Sequence, residues 1–263
     1  MNHRENTLSL LRRQGYEFMP PEFSLCPKLV EDFHRCENTE LDYHEYFGSP
    51  WKHAPGPKPI ADHAAAWRAY YDEIPPNMFI DGMGVGHVSY PTSMHMNQMI
   101  HPLESADSLE EIAAYPLPEF SADEADRLRP YVEDIHRSGN ASIASMHCTV
   151  WETSWYIRSM EQLMMDMAAE PELAALMLDR ITDMSLSKAL IYARAGVDLL
   201  FLGDDVGMQQ TTMMSDAMYS EWLKPRLKKI ISAAKAVKPD LIVLYHSCGY
   251  VEPFIPHLID AGI

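Results

Sequence analysis

Apolar positions along the chain fall into short uninterrupted runs that alternate with longer segments of helical period. Val197–Leu202 and Leu241–Tyr245 are apolar on both faces. The first breaks at Gly203-Asp204-Asp205, the second at His246-Ser247-Cys248-Gly249. Ala141–Cys148 is a third such run, Asn77–Gly82 a shorter one ending in an acid and a glycine, and Glu22–Leu25 the weakest. Glu161–Ala169 and Pro171–Ala195 are helical in period, the latter through Leu173, Leu176, Met177, Ile181 and Met184. Proline opens it and Gly196 closes it. Ser215 caps a further helix, bent at Pro225 and running to Val237, and Pro253–Asp260 is the last.

The first part of the chain is less regular. Glu5–Gln14 reads as a short helix stopped by Gly15, and Lys28–Arg35 as a second. Prolines 50, 55, 57 and 59 mark an extended connection, and residues 83–103 a loop rich in Gly, Met and His. Asp107-x-x-Glu110 and Ser121-x-x-Glu124 have the spacing of capping boxes, each opening a helix.

Short strands apolar on both faces and separated by helices imply a parallel sheet covered by helices. No Gly-x-Gly-x-x-Gly follows a strand, which disfavours a dinucleotide-binding sheet. The expected class is therefore α/β, a (β/α)8 TIM barrel. Strands at 22–25, 77–81, 141–148, 197–202 and 241–245 fall short of the closed ring. The expectation is one barrel domain over 1–263, truncated after about five strand–helix units, with residues 1–75 holding N-terminal helices and the first strand.

Composition narrows the function. The net charge is −17 over 263 residues, 47% of them hydrophobic, so the chain reads as globular rather than disordered. That charge repels nucleic-acid phosphates and disfavours a polyanionic substrate without an arginine cluster. The sequence has no run long enough to span a bilayer and no apolar signal core at its start, so a cytoplasmic location without membrane partners is expected. Cys26, Cys36, Cys148 and Cys248 are too dispersed for a disulfide framework and read as thiols, and the 18 methionines as core packing.

In a barrel, reactive groups gather at the C-terminal ends of the strands. Here Asp81 follows the second strand, His147 and Cys148 end the third with Glu152 beyond, Asp204 and Asp205 follow the fourth, and His246 and Cys248 the fifth. Side chains two apart on a strand share a face, so His246 and Cys248 can converge on one ion, and an N,S pair suits zinc. A catalytic zinc takes three protein ligands. The third is open between His147, Cys148, Glu152 and a residue past Ile263. Asp204 or Asp205 is either a cap of the Gly203 turn or a pocket carboxylate that moves a proton. His87, His95 and His101 form a loose cluster read as loop packing.

Several stretches resemble, in order, the uroporphyrinogen decarboxylase superfamily. They are Arg4-Glu5-Asn6, Asp81-Gly82-x-Gly84, His101-Pro102-Leu103, Tyr115-Pro116-Leu117-Pro118, Pro171-Glu172-Leu173, Gly203-Asp204-Asp205-x-Gly207, Leu223-Lys224-Pro225 and His246-Ser247-Cys248-Gly249. The likeness is nearest to the branch that includes the cobalamin-dependent methyltransferases. It implies a (β/α) barrel with a further strand after Gly262. In that branch zinc held by His-x-Cys and a later Cys carries a substrate thiolate that takes a methyl group from a corrinoid on a partner protein. His246 and Cys248 match the first two ligands.

True decarboxylases carry an Arg-x-Ala-Gly-Arg type stretch near the N-terminus. Arg12-Arg13-Gln14-Gly15-Tyr16 stands here instead, and only Asp81 approximates their essential acid. The leading expectation is a zinc-dependent, corrinoid-linked methyltransferase with Asp204 or Asp205, His147 and Glu152 as pocket groups, Asp81 or Asp204 being the acid that would stabilise a protonated pyrrole in a decarboxylase. Porphyrinogen decarboxylation and a non-catalytic or truncated barrel binding a partner are the alternatives, and a homodimer is a candidate state.

Overall fold

The computed structural model describes residues 1–90 and 97–263 of the chain. Helix α1 (His3–Leu11) opens on a reciprocal capping box between Asn2 and Glu5. α2 (Pro27–Glu37) starts on proline and stops at Asn38 in the left-handed region, and α3 (Tyr43–Tyr46) is a single turn. Strand β1 (Trp51–His53) and α4 (Ala64–Arg68) lead to three short strands, β2 (Met78–Ile80), β3 (Gly86–Val88) and β4 (Gln98–Ile100). α5 (Leu109–Ala114) and α6 (Glu124–Arg137) precede β5 (Ala141–His147). α7 (Trp151–Arg158), α8 (Met160–Ala169) and α9 (Pro171–Ala195) then lead to β6 (Leu199–Gly203). α10 (Asp216–Met218) passes through a π-helical turn at Tyr219–Leu223 into α11 (Lys224–Val237). β7 (Ile242–His246) follows, and a 3-10 turn at Glu252–Phe254 leads into α12 (Ile255–Ala261).

The fold is mixed α/β, built on a four-stranded parallel sheet in the order β1-β5-β6-β7. Two strand expectations are corrected. Residues 22–25 have no regular structure, and the first parallel strand is instead Trp51–His53, pairing with Ala141–Ile143. The proline-flanked segment is thus a strand at the sheet's edge, where a missing N–H costs least. Met78–Ile80 is extended as expected, but belongs to a separate antiparallel sheet, β2-β3-β4, inside the stretch expected to be a loop. The parallel sheet among the described residues therefore has four strands, not five.

Alternation along the strands sorts the core. Ala144, Met146, Leu200, Leu202 and Val243 join the large cluster beneath the helices, with Trp151, Leu178 and Ile230 fully buried there. Ile143, Leu199, Phe201, Ile242 and Leu244 line the opposite face, where α1 covers the strand beginnings with Leu8 and Leu11. Near that end Asp198 is buried, held by Arg4 at 2.8 and 2.9 Å, by the Ser142 N–H at 3.1 Å and by His136 at 2.9 Å.

Helix boundaries follow their local chemistry with small shifts. Ser108 and Glu111, one residue beyond the expected pair, form the α5 capping box. α6 starts at Glu124 without a side-chain cap, and Ser121 instead accepts from the Asp123 N–H at 3.2 Å. Pro225 sits in the first turn of α11, directly after the π turn at Tyr219–Leu223, where a missing N–H is tolerated.

Candidate functional site

β5, β6 and β7 end level with one another: His147 pairs with Gly203, and Gly203 with His246. The turns beyond Gly203 and His246 pack backbone to backbone. A Cβ on Gly207 would lie 2.6 Å from the Cys248 carbonyl oxygen, and one on Gly249, itself at φ +76°, 2.6 Å from the Gly207 carbonyl carbon. Glycine at both positions lets the turns touch, which explains their place in Gly203-Asp204-Asp205-x-Gly207 and His246-Ser247-Cys248-Gly249. The Val206 N–H donates to Ser247 Oγ at 3.0 Å and the Tyr250 N–H to the Met208 carbonyl at 2.7 Å, fastening the pair.

This packing gathers three potential metal donors. Asp205, His246 and Cys248 each place a ligand atom within 4.8 Å of the other two, the one such group among the described residues. His246 Nε2 lies 3.3 Å from Cys248 Sγ and 3.7 Å from Asp205 Oδ1, which also accepts the Cys248 N–H at 2.6 Å. His246 and Cys248 are exposed and Asp205 is half-buried, so the cluster opens to solvent. The Asp205 carboxylate, with some burial, holds the Cys248 thiol above its ordinary pKa, a bias that a bound cation reverses.

Beside this cluster lies a relay in which Glu152 is buried and Tyr156 and Cys148 are half-buried. Glu152 accepts the Asp205 N–H at 3.0 Å with one carboxylate oxygen and the Tyr156 hydroxyl at 2.8 Å with the other. Cys148 Sγ donates to the Tyr156 oxygen at 3.7 Å. Burial first, and Glu152 second, push the Cys148 thiol up to about 12, so it stays protonated at neutral pH. Asp204 is 4% exposed, and its carboxylate accepts the N–H groups of Val150 and Glu152 at the start of α7. Burial pushes Asp204 up to about 7, opposed by those amides. Of the two adjacent acids, Asp204 faces the helix and Asp205 the open site.

His147 stands on the sheet face opposite the helices, edge-on to Phe201 at 4.5 Å, and burial followed by His246 depresses its pKa. It lies beside the cluster without being a member. Asp81 is elsewhere: it sits in the β2–β3 turn, accepting the Met83 and Val85 N–H groups at 2.8 and 3.0 Å and bonding His87 Nε2 at 3.0 Å. The expectation that Asp81 ends a strand of the parallel sheet is thereby corrected, because its strand belongs to the antiparallel one. His87 is engaged there, His101 Nδ1 bonds the Tyr156 carbonyl at 2.7 Å, and His95 lies outside the described residues. Among the three strand-end ligands considered beside His246 and Cys248, neither His147 nor Cys148 nor Glu152 enters the cluster. Asp205 does, and the signal for it was the acid directly beyond β6, on the strand that neighbours β7.

No curated protein sequence matches the chain. A solved methyltransferase from Methanosarcina mazei superposes with a TM-score of 0.61 over 100% of this chain and 74% of that one, at 17% identity, a likeness of fold. The family model of uroporphyrinogen decarboxylase (URO-D) matches residues 81–263, a span that holds β5, β6, β7 and all three donors. The chain belongs to the uroporphyrinogen decarboxylase family.

Proposed function

We propose that this family member is a zinc-dependent methyltransferase that moves a methyl group from a corrinoid carried on a partner protein to a thiol or related acceptor, on a sheet that forms part of a (β/α)8 barrel. The observation that carries the reading is the open Asp205–His246–Cys248 cluster at the C-terminal edge of the parallel sheet. One carboxylate oxygen, one imidazole nitrogen and one thiol sulfur fit the donor set of a catalytic zinc that keeps a position free for substrate. Such an ion, when bound, holds an acceptor thiol as its thiolate at neutral pH.

The chain's own residues do the positioning. Glu152 fixes the turn that carries Asp205 by accepting its N–H, and Asp205 fixes the turn that carries Cys248 in the same way. His147 and Phe201 form the adjoining wall of the sheet face. The exposed position of His246 and Cys248 suits approach by a large corrinoid-bearing protein.

The family match itself favours porphyrinogen decarboxylation as the second reading. Its weakness is charge: the cluster and its support are acidic, and an octacarboxylate needs a cationic cradle. The test is to incubate the zinc-loaded protein with methylcobalamin and a small thiol, and separately with uroporphyrinogen, and to follow products by mass spectrometry. A methyl thioether with no porphyrinogen turnover supports the proposal. Decarboxylated porphyrinogen overturns it in favour of the second reading, and binding without either product identifies a non-catalytic barrel.

A further inference from the structure

A cavity of about 700 Å³ lies among residues 57–63, the β2–β3 turn and α9. Its apolar walls include Trp67, Met83, Phe120 and Met184. None of its lining residues belongs to the Asp205–His246–Cys248 cluster.

Lys188 of α9 lines this cavity with its ammonium 5.8 Å from the centre of the Phe120 ring. Among the described residues the ammonium has neither a hydrogen-bond acceptor nor an ion-pair partner. Burial lowers its pKa. The two acids on the wall do not pair with the ammonium: Asp62 accepts the Ala64 N–H at 2.9 Å, and Asp81 holds the β2–β3 turn and His87. A part-buried cation without a counter-charge bears part of its desolvation cost uncompensated, and an incoming carboxylate offsets that cost with a charge-assisted hydrogen bond. The aromatic and methionine walls suit a planar ring behind the carboxylate.

We infer that this cavity is a second ligand site, taking a small organic monocarboxylate with a flat apolar body whose carboxylate pairs with Lys188. Lys58, the other lysine on the lining, is exposed to solvent, so Lys188 is the part-buried cation a carboxylate would meet, and Asp62 and Asp81 disfavour a second carboxylate. The lining shares no residue with the zinc cluster, and the inference does not rest on the methyl-transfer reading.

The experiment is titration of the full chain with 2-naphthoate by calorimetry, against the neutral analogue 2-naphthalenemethanol. Saturable 2-naphthoate binding is expected, weakened about tenfold or more in Lys188→Met and kept in Lys188→Arg, whereas the alcohol binds both proteins alike. Lys188→Met removes an unpaired, part-buried charge, so its melting temperature should equal or exceed that of the wild type. Met184→Trp fills the cavity with Lys188 in place and should abolish binding, which keeps the test independent of any one variant. Unsaturable binding, unchanged affinity in Lys188→Met or in Met184→Trp, or an alcohol that binds as well as the acid overturns the inference.

Discussion

The Cys248 N–H donates to Asp205 Oδ1 at 2.6 Å, so the turns after β6 and β7 are joined by the same carboxylate that stands beside the imidazole and the thiol. Asp205 thereby has two tasks, one structural and one as a donor. Wild-type protein should bind about one zinc per chain. Cys248→Ala and His246→Ala should each lower affinity by more than about tenfold, the lower bound for groups that merely support ligands. Asp205→Asn keeps a turn-joining acceptor but loses the charge, so its loss should be smaller. Equilibrium dialysis with metal analysis reads all three, and full zinc retention by Cys248→Ala would falsify the site.

How much of this was legible in the sequence depends on how local the determining chemistry is. α9 was readable end to end, because Pro171 and Gly196 punctuate a long amphipathic run. β6 and β7 were readable from their apolar runs within two residues at either end. β1 was not: three residues between Pro50 and Pro55 carry no periodicity, and only pairing with Ala141–Ile143 makes them a strand. β3 and β4 were missed for the same reason, since a three-residue antiparallel strand is specified by its partner across the sheet. His246 and Cys248 were visible as a pair on one strand end. Asp205 as their companion required the β6–β7 register and the two touching glycines, which spacing along one chain does not reveal.

Asp204 supports the site from beneath, by accepting amides at the start of α7. Asp204→Ala leaves those buried N–H groups without an acceptor and removes the helix cap. Stability should fall by about 2–4 kcal/mol in urea denaturation. A change of less than about 0.5 kcal/mol would show that the cap is unimportant.

Arg158 and Asp166 are both almost fully buried and form a two-armed ion pair at 2.7 and 3.2 Å. The same guanidinium donates to the carbonyls of Leu103 and Ala106, tying the segment before α5 to the α7–α8 corner. Asp166→Ala strands the cation in the core and should cost about 3–5 kcal/mol. Arg158→Met with Asp166→Leu removes both charges and should recover much of that loss, which a double-mutant cycle measures.

Asp198 makes stability sensitive to acid. Burial raises its carboxyl pKa, but the Arg4 hydrogen bonds, the Ser142 N–H and His136 together more than offset this and leave it below the ordinary value. A carboxylate depressed in the folded state contributes its full stabilisation above the unfolded pKa, about 3.9, and loses it as pH falls through the lower folded value. The wild type should therefore lose stability below about pH 4, and Asp198→Asn should lose less over that interval. At pH 7 Asp198→Asn should be about 1–3 kcal/mol less stable, because Arg4 is part-exposed and can return to water. Equal acid slopes for the two proteins would remove Asp198 from the account.

Gly207 and Gly196 separate backbone freedom from close approach. Gly196 closes α9 at φ +91° with nothing within 4 Å of an added Cβ, so Gly196→Ala costs only the left-handed strain, about 1–2 kcal/mol, and should leave zinc affinity alone. At Gly207 an added Cβ meets the Cys248 carbonyl oxygen at 2.6 Å and the Tyr250 nitrogen at 2.7 Å, backbone atoms that cannot rotate aside. Gly207→Ala must push the β6 and β7 turns apart and stretch the Asp205–Cys248 contact that sets the donor spacing. Zinc affinity should then fall by about tenfold or more, as for loss of a supporting group, even if the fold survives. Titration of both variants with zinc decides it: the geometric account of the site predicts loss at Gly207 alone, and equal affinities would mean that the turns can separate without disturbing the donors.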